Sequence, residues 1–285
     1  MKPGHGSQTA VLVCAARAIA HEAKLVPRFS DPTALELLPD ASRALVRAHR
    51  EGPPKSLRAR FRYEFMSARA AMMGVRTVIV DDAVREAAAP QVVILGAGLD
   101  GRAWRMPELK DAIVFEVDHP DTQREKTARV GSLTQHAREV KFVAVDFTRD
   151  DLAERLASAG HDPSQPTMWI WEGVVMYLTP AEVEATLRII AARSAAGSRL
   201  AIVYIGPGGF LVPIVALAVR RLGEPFRSRY RASEMRELLA RHGFDVRMDE
   251  GLPASAARIA PAIEKSSRRV KHMRSVIAAR VTTAA

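Results

Sequence analysis

A glycine-rich turn in the sequence has the residue types and spacing of a nucleotide-binding loop. Gly96, Gly98 and Gly101 match the pattern G-x-G-x-x-G directly after a short apolar run at residues 91–95. Glycines at such a turn let a ligand approach the backbone closely, as nucleotide-type cofactors require. Because glycine turns also simply connect strands to helices, the pattern alone does not identify a ligand.

Acidic side chains stand at the ends of the next two apolar runs. Glu116 and Asp118 share one face of the second predicted strand. Asp118 is nearer the strand end, where a carboxylate can accept hydrogen bonds from both hydroxyls of a ribose. Asp146 follows the third run, where its carboxylate can accept from the exocyclic amine of an adenine while Phe147 covers the ring. The alternative role for Asp118, ahead of Pro120, and for Asp146 is that of a helix cap.

A further acid, Glu172, closes the aromatic and apolar run at residues 168–171. A carboxylate at the end of a buried strand is energetically costly unless it has a partner. A cationic sulfonium ligand would supply such a partner. The acids at successive strand ends therefore favour an adenosyl ligand along one edge of a sheet.

The pattern after residue 90 alternates short apolar runs with amphipathic stretches, which is typical of a doubly wound parallel sheet. The predicted strands are residues 91–95, 112–117, 140–145, 167–172 and 199–205, followed by 244–249 and 275–281. The predicted helices are residues 9–23, 56–73, 101–106, 120–130, 150–159, 180–194, 209–222 and 233–242. We therefore predict an α/β chain with an N-terminal helical cap at residues 1–80 and a core at residues 81–285, packed as one compact unit.

The composition is that of an ordinary folded protein, and a cytoplasmic location is expected. Of the 285 residues, 48% are apolar and 26% are charged, close to the averages for globular proteins. The single Cys14 excludes an intrachain disulfide framework and cannot by itself form a zinc site, and no metal is predicted.

The start has no secretory leader pattern, and the apolar run at residues 210–219 is shorter than the roughly 20 residues of a membrane span. A membrane partner is therefore not expected.

The net charge of +10 is concentrated in two segments. Residues 43–69 carry eight Lys or Arg against two Glu, and residues 251–285 carry seven against one, so each segment is +6. Such segments can attract nucleic acid or acidic substrates, but we interpret them as solvated faces. Phe61, Tyr63 and Phe65, spaced by two residues, are expected to face together only on a strand, which argues against base stacking. Nucleic acid is therefore not an expected partner.

These positions carry a resemblance to a known family. The chain resembles the leucine carboxyl methyltransferase family, in its bacterial small-molecule branch. The matching segments run in order through residues 9–180: Thr9-Ala10 to Ala18, Asp31-Pro32, Arg76 to Asp82, Val93 to Asp100 with Arg102, Glu116-Val117-Asp118 with Pro120, Asp146-Phe147, and Glu172 to Leu178. The ending Ile277 to Arg280 is similar to the last strand of the family. The family often has Thr or Ser where this chain has Gly101, a departure that is expected to loosen the turn.

The resemblance implies a class I methyltransferase fold, which is Rossmann-like with a mostly parallel seven-stranded sheet, and S-adenosylmethionine as the cofactor. It also implies a set of cofactor-binding residues: Gly96, Ala97 and Gly98 in the turn, Asp118 at the ribose with His119 beside it, Asp146 and Phe147 at the adenine, Glu172 near the methionine moiety, Arg76 on the methionine carboxylate, and Arg17 as the nearest candidate for a basic contact from the N-terminal helix. A guanidinium offers a carboxylate a planar fork, so the role of Arg76 also agrees with its chemistry. Its alternative is a surface arginine.

The implied reaction is O-methylation of a carboxylate or hydroxyl on a small molecule. Displacement at a sulfonium needs alignment and exclusion of water rather than a covalent residue. A carboxylate, with a pKa of about 4, arrives ionised, whereas a hydroxyl needs a base. His119, Tyr177 and Tyr204 are interpreted as structural residues, so no catalytic residue is predicted.

Three alternatives share parts of this pattern. An NAD-dependent oxidoreductase would have the same turn and acid, although no tyrosine of the chain has Lys four residues later, which removes the commonest single-domain version. A basic RNA-binding methyltransferase would use the two basic segments. A cofactor-binding homologue without activity is the third, and the intact acids argue against it.

Overall fold

The computed structural model describes residues 6–147, 149–208, 225–268 and 272–281. The predicted helix at residues 209–222 lies outside the described residues. Within them, an N-terminal group of helices packs beside a seven-stranded sheet, and both elements contribute to one cavity.

Of the four N-terminal helices, the two long ones begin at side-chain caps. They are α1 (Gln8–Glu22), α2 (Ala34–Leu37), α3 (Asp40–Arg50) and α4 (Leu57–Ala87). The Ser7 hydroxyl accepts from the Ala10 amide, and that of Ser56 accepts from the Ala59 amide, so both long helices have an N-cap. Helix α4 continues beyond the predicted end at residue 73, because no proline follows before Pro90. The predicted cap boundary at residue 80 therefore falls inside one helix.

The sheet has the strand order β3-β2-β1-β4-β5-β7-β6. Its strands are β1 (Gln91–Leu95), β2 (Ile113–Asp118), β3 (Glu139–Ala144), β4 (Thr167–Trp171), β5 (Arg199–Ile205), β6 (Phe244–Gly251) and β7 (Met273–Arg280). The first five are parallel, and β7 is antiparallel to both β5 and β6. The predicted α/β class and mostly parallel seven-stranded sheet with an N-terminal helical cap are confirmed. Strand bounds agree with the predictions within about two residues.

Short helices connect the strands. They are α5 (Arg102–Arg105), α6 (Pro120–Val130), α7 (Leu152–Ser158), α8 (Pro180–Ala192), α9 (Ala232–Arg241), α10 (Leu252–Ile259) and α11 (Glu264–Ser267), with 3₁₀ turns at Pro107–Leu109, Val175–Tyr177 and Pro261–Ile263. Pro180 occupies the first turn of α8, as predicted, behind a capping box formed by Thr179 and Glu182.

Alternation along the strands divides the apolar core between the two faces of the sheet. Val92 and Ile94 of β1 belong to the cluster that contains α1 and α4. Val93 and Leu95 belong to the cluster on the α8 side. Because β1 to β5 are parallel, their carboxyl ends meet at one edge, and the helical cap stands beside that edge.

In the described part of the chain, no helix combines the length and the apolar character that crossing a membrane requires.

Candidate functional site

A cavity of about 830 Å³ opens at the carboxyl edge of the sheet. It is bounded by the first turn of α1, by the turn after β1, and by the segments that follow β2, β3 and β4. All the residues predicted to bind a cofactor line this one cavity: Arg17, Arg76, Gly96, Ala97, Gly98, Asp118, His119, Asp146, Phe147 and Glu172. The structure therefore brings together residues that are up to 155 positions apart, from Arg17 to Glu172.

The glycine turn requires glycine at two positions. Gly96 and Gly98 have φ values of +68° and +51°, in the left-handed region that side chains disfavour. A Cβ atom at Gly96 would overlap Cγ2 of Val174, and one at Gly98 would lie 2.9 Å from Cβ of Ala10. The turn is thus packed between the segment after β4 and the start of α1.

Asp118 joins the turn to the end of β2. Its Oδ2 accepts a hydrogen bond from the Gly98 amide at 2.5 Å, and its Oδ1 accepts from the His119 amide at 2.6 Å. Burial raises the pKa of Asp118, and the two amide donors only partly offset that rise. Nδ1 of His119 accepts from the Asp121 amide at 3.2 Å and caps α6. The capping role considered for Asp118 therefore belongs to its neighbour.

Asp146 and Phe147 follow the neighbouring strand β3. Asp118 is in register with Ala144, so the ends of β2 and β3 lie side by side. The Asp146 amide donates to Asp150 at 2.8 Å, while the N-cap of α7 is Asp151. The N-cap of α7 is thus Asp151 rather than Asp146, and both Asp146 and Phe147 line the cavity.

Glu172, at the end of β4, already has two cationic partners within the chain. Its Oε1 lies 2.6 Å from Nε of Arg76, and its Oε2 accepts from Arg102 at 3.0 Å. Burial opposes ionisation, but the two arginines outweigh it and lower the pKa of Glu172. The partner that was expected from a bound sulfonium is thus supplied by arginines, and Glu172 is ionised before any ligand arrives.

These two contacts belong to a buried network of four acids and four arginines. Arg17 pairs with Asp31 at 3.0 Å, and Arg105 connects Asp31 to Asp81 at 3.7 and 2.7 Å. Arg102 then contacts Asp81 at 2.8 Å. The same guanidinium also contacts Asp100 and Glu172, and Glu172 pairs with Arg76. The eight charges sum to zero and tie α1 and α4 to the turn after β1, to α5 and to the end of β4.

Arg76 and Thr9, both in the cavity wall, have polar atoms without a hydrogen-bond partner in the described part of the chain. Arg76 makes no hydrogen bond within the described residues beyond its ion pair, so its terminal nitrogens remain available to a ligand. The hydroxyl of Thr9, in the first turn of α1, is buried without a hydrogen-bond partner in the described part of the chain. Buried groups of this kind normally have partners, so both fit a ligand that carries hydrogen-bonding groups.

The chain matches a known protein family over more than half of its length. A model of the family described as leucine carboxyl methyltransferase matches residues 10–191, more than half of the chain. The chain belongs to the leucine carboxyl methyltransferase family. A relative from Mycobacterium sp. (strain JLS), named "Putative S-adenosyl-L-methionine-dependent methyltransferase", is 36% identical over 178 residues, which are 62% of this chain and 54% of that protein. The chain spans about half the length of the curated relatives it matches.

Two solved structures resemble this family member in fold. A DUF574 family protein from Streptomyces avermitilis MA-4680 has a TM-score of 0.59 at 14% identity, covering 93% of this chain and 97% of that one. An O-methyltransferase family protein from Burkholderia thailandensis has a TM-score of 0.50 at 14% identity, covering 80% and 63% of the two chains. At such identities the likeness shows the fold alone.

At Gly101, where the chain departs from the leucine carboxyl methyltransferase pattern, the side chain of Thr33 lies beside the turn. A Cβ atom at Gly101 would overlap Oγ1 of Thr33 and lie 3.3 Å from Oδ1 of Asp31. The Thr33 hydroxyl donates to that same Asp31 oxygen at 2.7 Å. Thr33 therefore fills the place beside the turn that a side chain at position 101 would occupy.

Several residues in or beside the cavity have no role predicted from the sequence. Thr9, Asp100 and Arg102 belong to segments that match the family, but no role was predicted for them. The feature that could have indicated a role is their position in the matched segments, where a threonine, an acid and an arginine can form polar contacts. Tyr177 also lines the cavity, whereas Tyr204 bonds Asp249 and Arg274 away from it.

Proposed function

We propose that this family member is an S-adenosylmethionine-dependent methyltransferase that O-methylates a carboxylate or hydroxyl of a small molecule. The observation that carries the proposal is the single cavity in which the glycine turn, the strand-end acids and Arg76 meet. The name of the Mycobacterium relative supports the methyl donor, and the Burkholderia thailandensis protein shares the fold.

The cavity wall has groups that fit the cofactor. We assign Asp118 to the ribose hydroxyls, Asp146 and Phe147 to the adenine, and the free terminal nitrogens of Arg76 to the methionine carboxylate. The unpartnered hydroxyl of Thr9 adds a further donor or acceptor. When bound, the cofactor supplies a methyl group on a positively charged sulfur, which is already activated for displacement.

The chain itself needs to orient the two reactants and exclude water. Glu172, ionised and paired with Arg76 and Arg102, fixes the Arg76 guanidinium at the cavity wall, where it can orient the methionine carboxylate of the cofactor. An acceptor carboxylate has a pKa of about 4 and enters as the nucleophile without a base. A hydroxyl acceptor needs a base. Of the candidate bases, His119 uses Nδ1 to cap α6, and we assign no base.

Calorimetric titration of the full chain with S-adenosylhomocysteine and, separately, with NAD tests the proposed cofactor. We expect S-adenosylhomocysteine to bind and NAD to give no heat of binding. Binding of NAD without binding of S-adenosylhomocysteine would identify an oxidoreductase-type site and refute the proposal. Mass spectrometry of a panel of small carboxylic acids and alcohols, incubated with enzyme and cofactor, then tests O-methylation through a mass gain of one methyl group.

A further inference from the structure

An apolar ridge runs along the exposed first half of α4. Leu57, Phe61 and Phe65 are 87%, 71% and 57% exposed, and they are among the large apolar side chains most open to solvent in the described residues. Their spacing of four residues places them within about 80° of one another on the helix. We call these three residues the α4 ridge.

One flank of the α4 ridge is basic and carries no compensating acid. A helix turns by about 100° per residue. Arg58, Arg62 and Arg69 therefore lie side by side around the helix, within about 60° of Phe65 and on the same flank of the ridge. None of them forms an ion pair or side-chain hydrogen bond within the described residues. On the opposite flank, Arg60 pairs with Glu64 at 3.1 Å. The ridge thus has apolar side chains beside three uncompensated positive charges.

We propose that the α4 ridge and its three flanking arginines dock on a lipid surface that contains anionic phospholipids. An interfacial helix of this kind inserts apolar and aromatic side chains at the level of the lipid headgroups, while Lys and Arg contact the anionic groups. The sequence-based expectation of no membrane partner rested on the lack of a spanning helix. A peripheral contact requires no such helix.

The charge of the segment argues against a second copy of this chain as the occupant. Residues 43–69 have a net charge of +6, so two such faces would repel each other in a symmetric dimer. RNA is disfavoured because Leu57, the most exposed residue of the ridge, has no ring to stack on a base. Tyr63, the remaining aromatic of the segment, is turned away and stacks on His49 of α3 at a centroid distance of 4.1 Å.

The ridge is continuous with the face of α4 that enters the cavity. Arg76 lines the cavity. Around the helix axis it lies on the same side as the ridge and its basic flank, and along the axis it is about 16 Å from Phe65. Docking through the α4 ridge would bring the face that leads to the cavity close to lipid. The surface contact does not depend on the identity of the cofactor, so its test is separate from that of the proposed function.

Vesicle co-sedimentation of the full chain tests the proposal. The probes are vesicles of phosphatidylcholine alone and vesicles with one third phosphatidylglycerol, at low and high salt. We expect binding to the anionic vesicles, weakened by salt. The variant Phe61→Ser/Phe65→Ser should reduce the partition coefficient roughly tenfold or more, and Arg62→Ala by roughly fivefold. The matched controls are Leu12→Ser, an exposed leucine of α1, and Arg60→Ala, on the paired flank.

Binding that is lost in the ridge and Arg62 variants but kept in both controls supports the proposal. Circular dichroism of each variant shows whether the fold is retained. No sedimentation of the wild-type chain with anionic vesicles, or equal binding by wild type and ridge variant, overturns it. A dimer detected by light scattering, or RNA binding detected by gel shift, overturns it if the ridge substitutions abolish that association and vesicles are not bound.

Discussion

Nε of Arg76 lies 2.6 Å from Oε1 of Glu172, so the arginine assigned to the methionine carboxylate is already ion-paired within the chain. The pair fixes the guanidinium at the cavity wall and leaves its terminal nitrogens for a ligand. One arginine thus links the end of β4 to the proposed cofactor site.

The first prediction concerns Arg76→Lys. A lysine ammonium is a single point charge and cannot present a planar fork to a ligand while it also pairs with Glu172. We expect the affinity for S-adenosylhomocysteine to fall roughly tenfold or more, as for loss of a charged hydrogen bond, measured by titration calorimetry. The control is Arg28→Lys, whose guanidinium pairs with Asp82 on the surface. Equal affinity of both variants would contradict the assignment of Arg76.

The second prediction concerns Asp118→Ala. This change removes the proposed acceptor of the ribose hydroxyls, and we expect S-adenosylhomocysteine to bind at least roughly tenfold more weakly, as for a buried pair of hydrogen bonds. Thermal unfolding should still be cooperative. Asp111→Ala, at an exposed acid just before β2, is the control. Unchanged affinity in Asp118→Ala would remove this residue from the ribose site.

The third prediction tests the buried network. In Arg102→Met, the carboxylates of Asp81, Asp100 and Glu172 lose a shared partner. Breaking a buried pair on one side costs about 3–5 kcal/mol of unfolding free energy, measured by urea titration. Arg60→Ala, which removes an exposed pair, should cost less than about 1 kcal/mol. A similarly small cost for Arg102→Met would show that the network contributes little.

The fourth prediction concerns the space beside the glycine turn. Gly101→Ser should lower the unfolding free energy by about 1–3 kcal/mol, because the added Cβ overlaps the Thr33 hydroxyl. Thr33→Ala removes the hydroxyl that the Cβ of a residue at position 101 would overlap. It also removes the hydrogen bond that the Thr33 hydroxyl donates to Asp31, and a serine at position 101 then lies near this carboxylate. A double-mutant cycle should therefore give a coupling of about 1 kcal/mol or more in favour of the double variant. Additive effects would mean that the two positions do not compensate.

The fifth prediction concerns pH. Burial raises the pKa of Glu116 from 4.5 to about 7, although its Oε2 contacts the buried ammonium of Lys126 at 2.5 Å. Between these two pH values, the folded chain binds more protons at this site than the unfolded chain. The contribution of Glu116 to the unfolding free energy therefore falls as pH rises from 4.5 to about 7.

Urea unfolding of the wild type and Glu116→Gln across this pH range isolates that contribution. We expect the wild-type free energy, relative to that of the variant, to decrease with rising pH. A difference that is independent of pH would show that Glu116 has an ordinary pKa in the folded chain.

The sequence predicted the strands, and the meeting of the strand-end acids in one cavity, because both depend on local patterns. Residues 91–95 and 199–205 form strands at the predicted bounds, since short apolar runs there are bounded by turn residues. Parallel strands bring their carboxyl ends to one edge, so Asp118, Asp146 and Glu172 could be predicted to meet.

Contacts between distant segments could not be predicted from local patterns. Arg105 meets Asp31 across 74 positions, and neither residue has a periodicity that indicates the pairing. The expectation that Phe61, Tyr63 and Phe65 share a face only on a strand overlooked the helical spacing of four. On α4, Phe61 and Phe65 are exposed together, while Tyr63 stacks on His49.

The neutral balance of the buried network also constrains how the sequence can diverge. The loss of Asp31 or Asp81 would leave Arg105 and its neighbours with excess positive charge in the interior. Substitutions at these positions are therefore expected to occur in compensating pairs, an acid together with an arginine, although the partners lie in separate helices and loops. Covariation among relatives should follow the total charge of the network rather than any single contact.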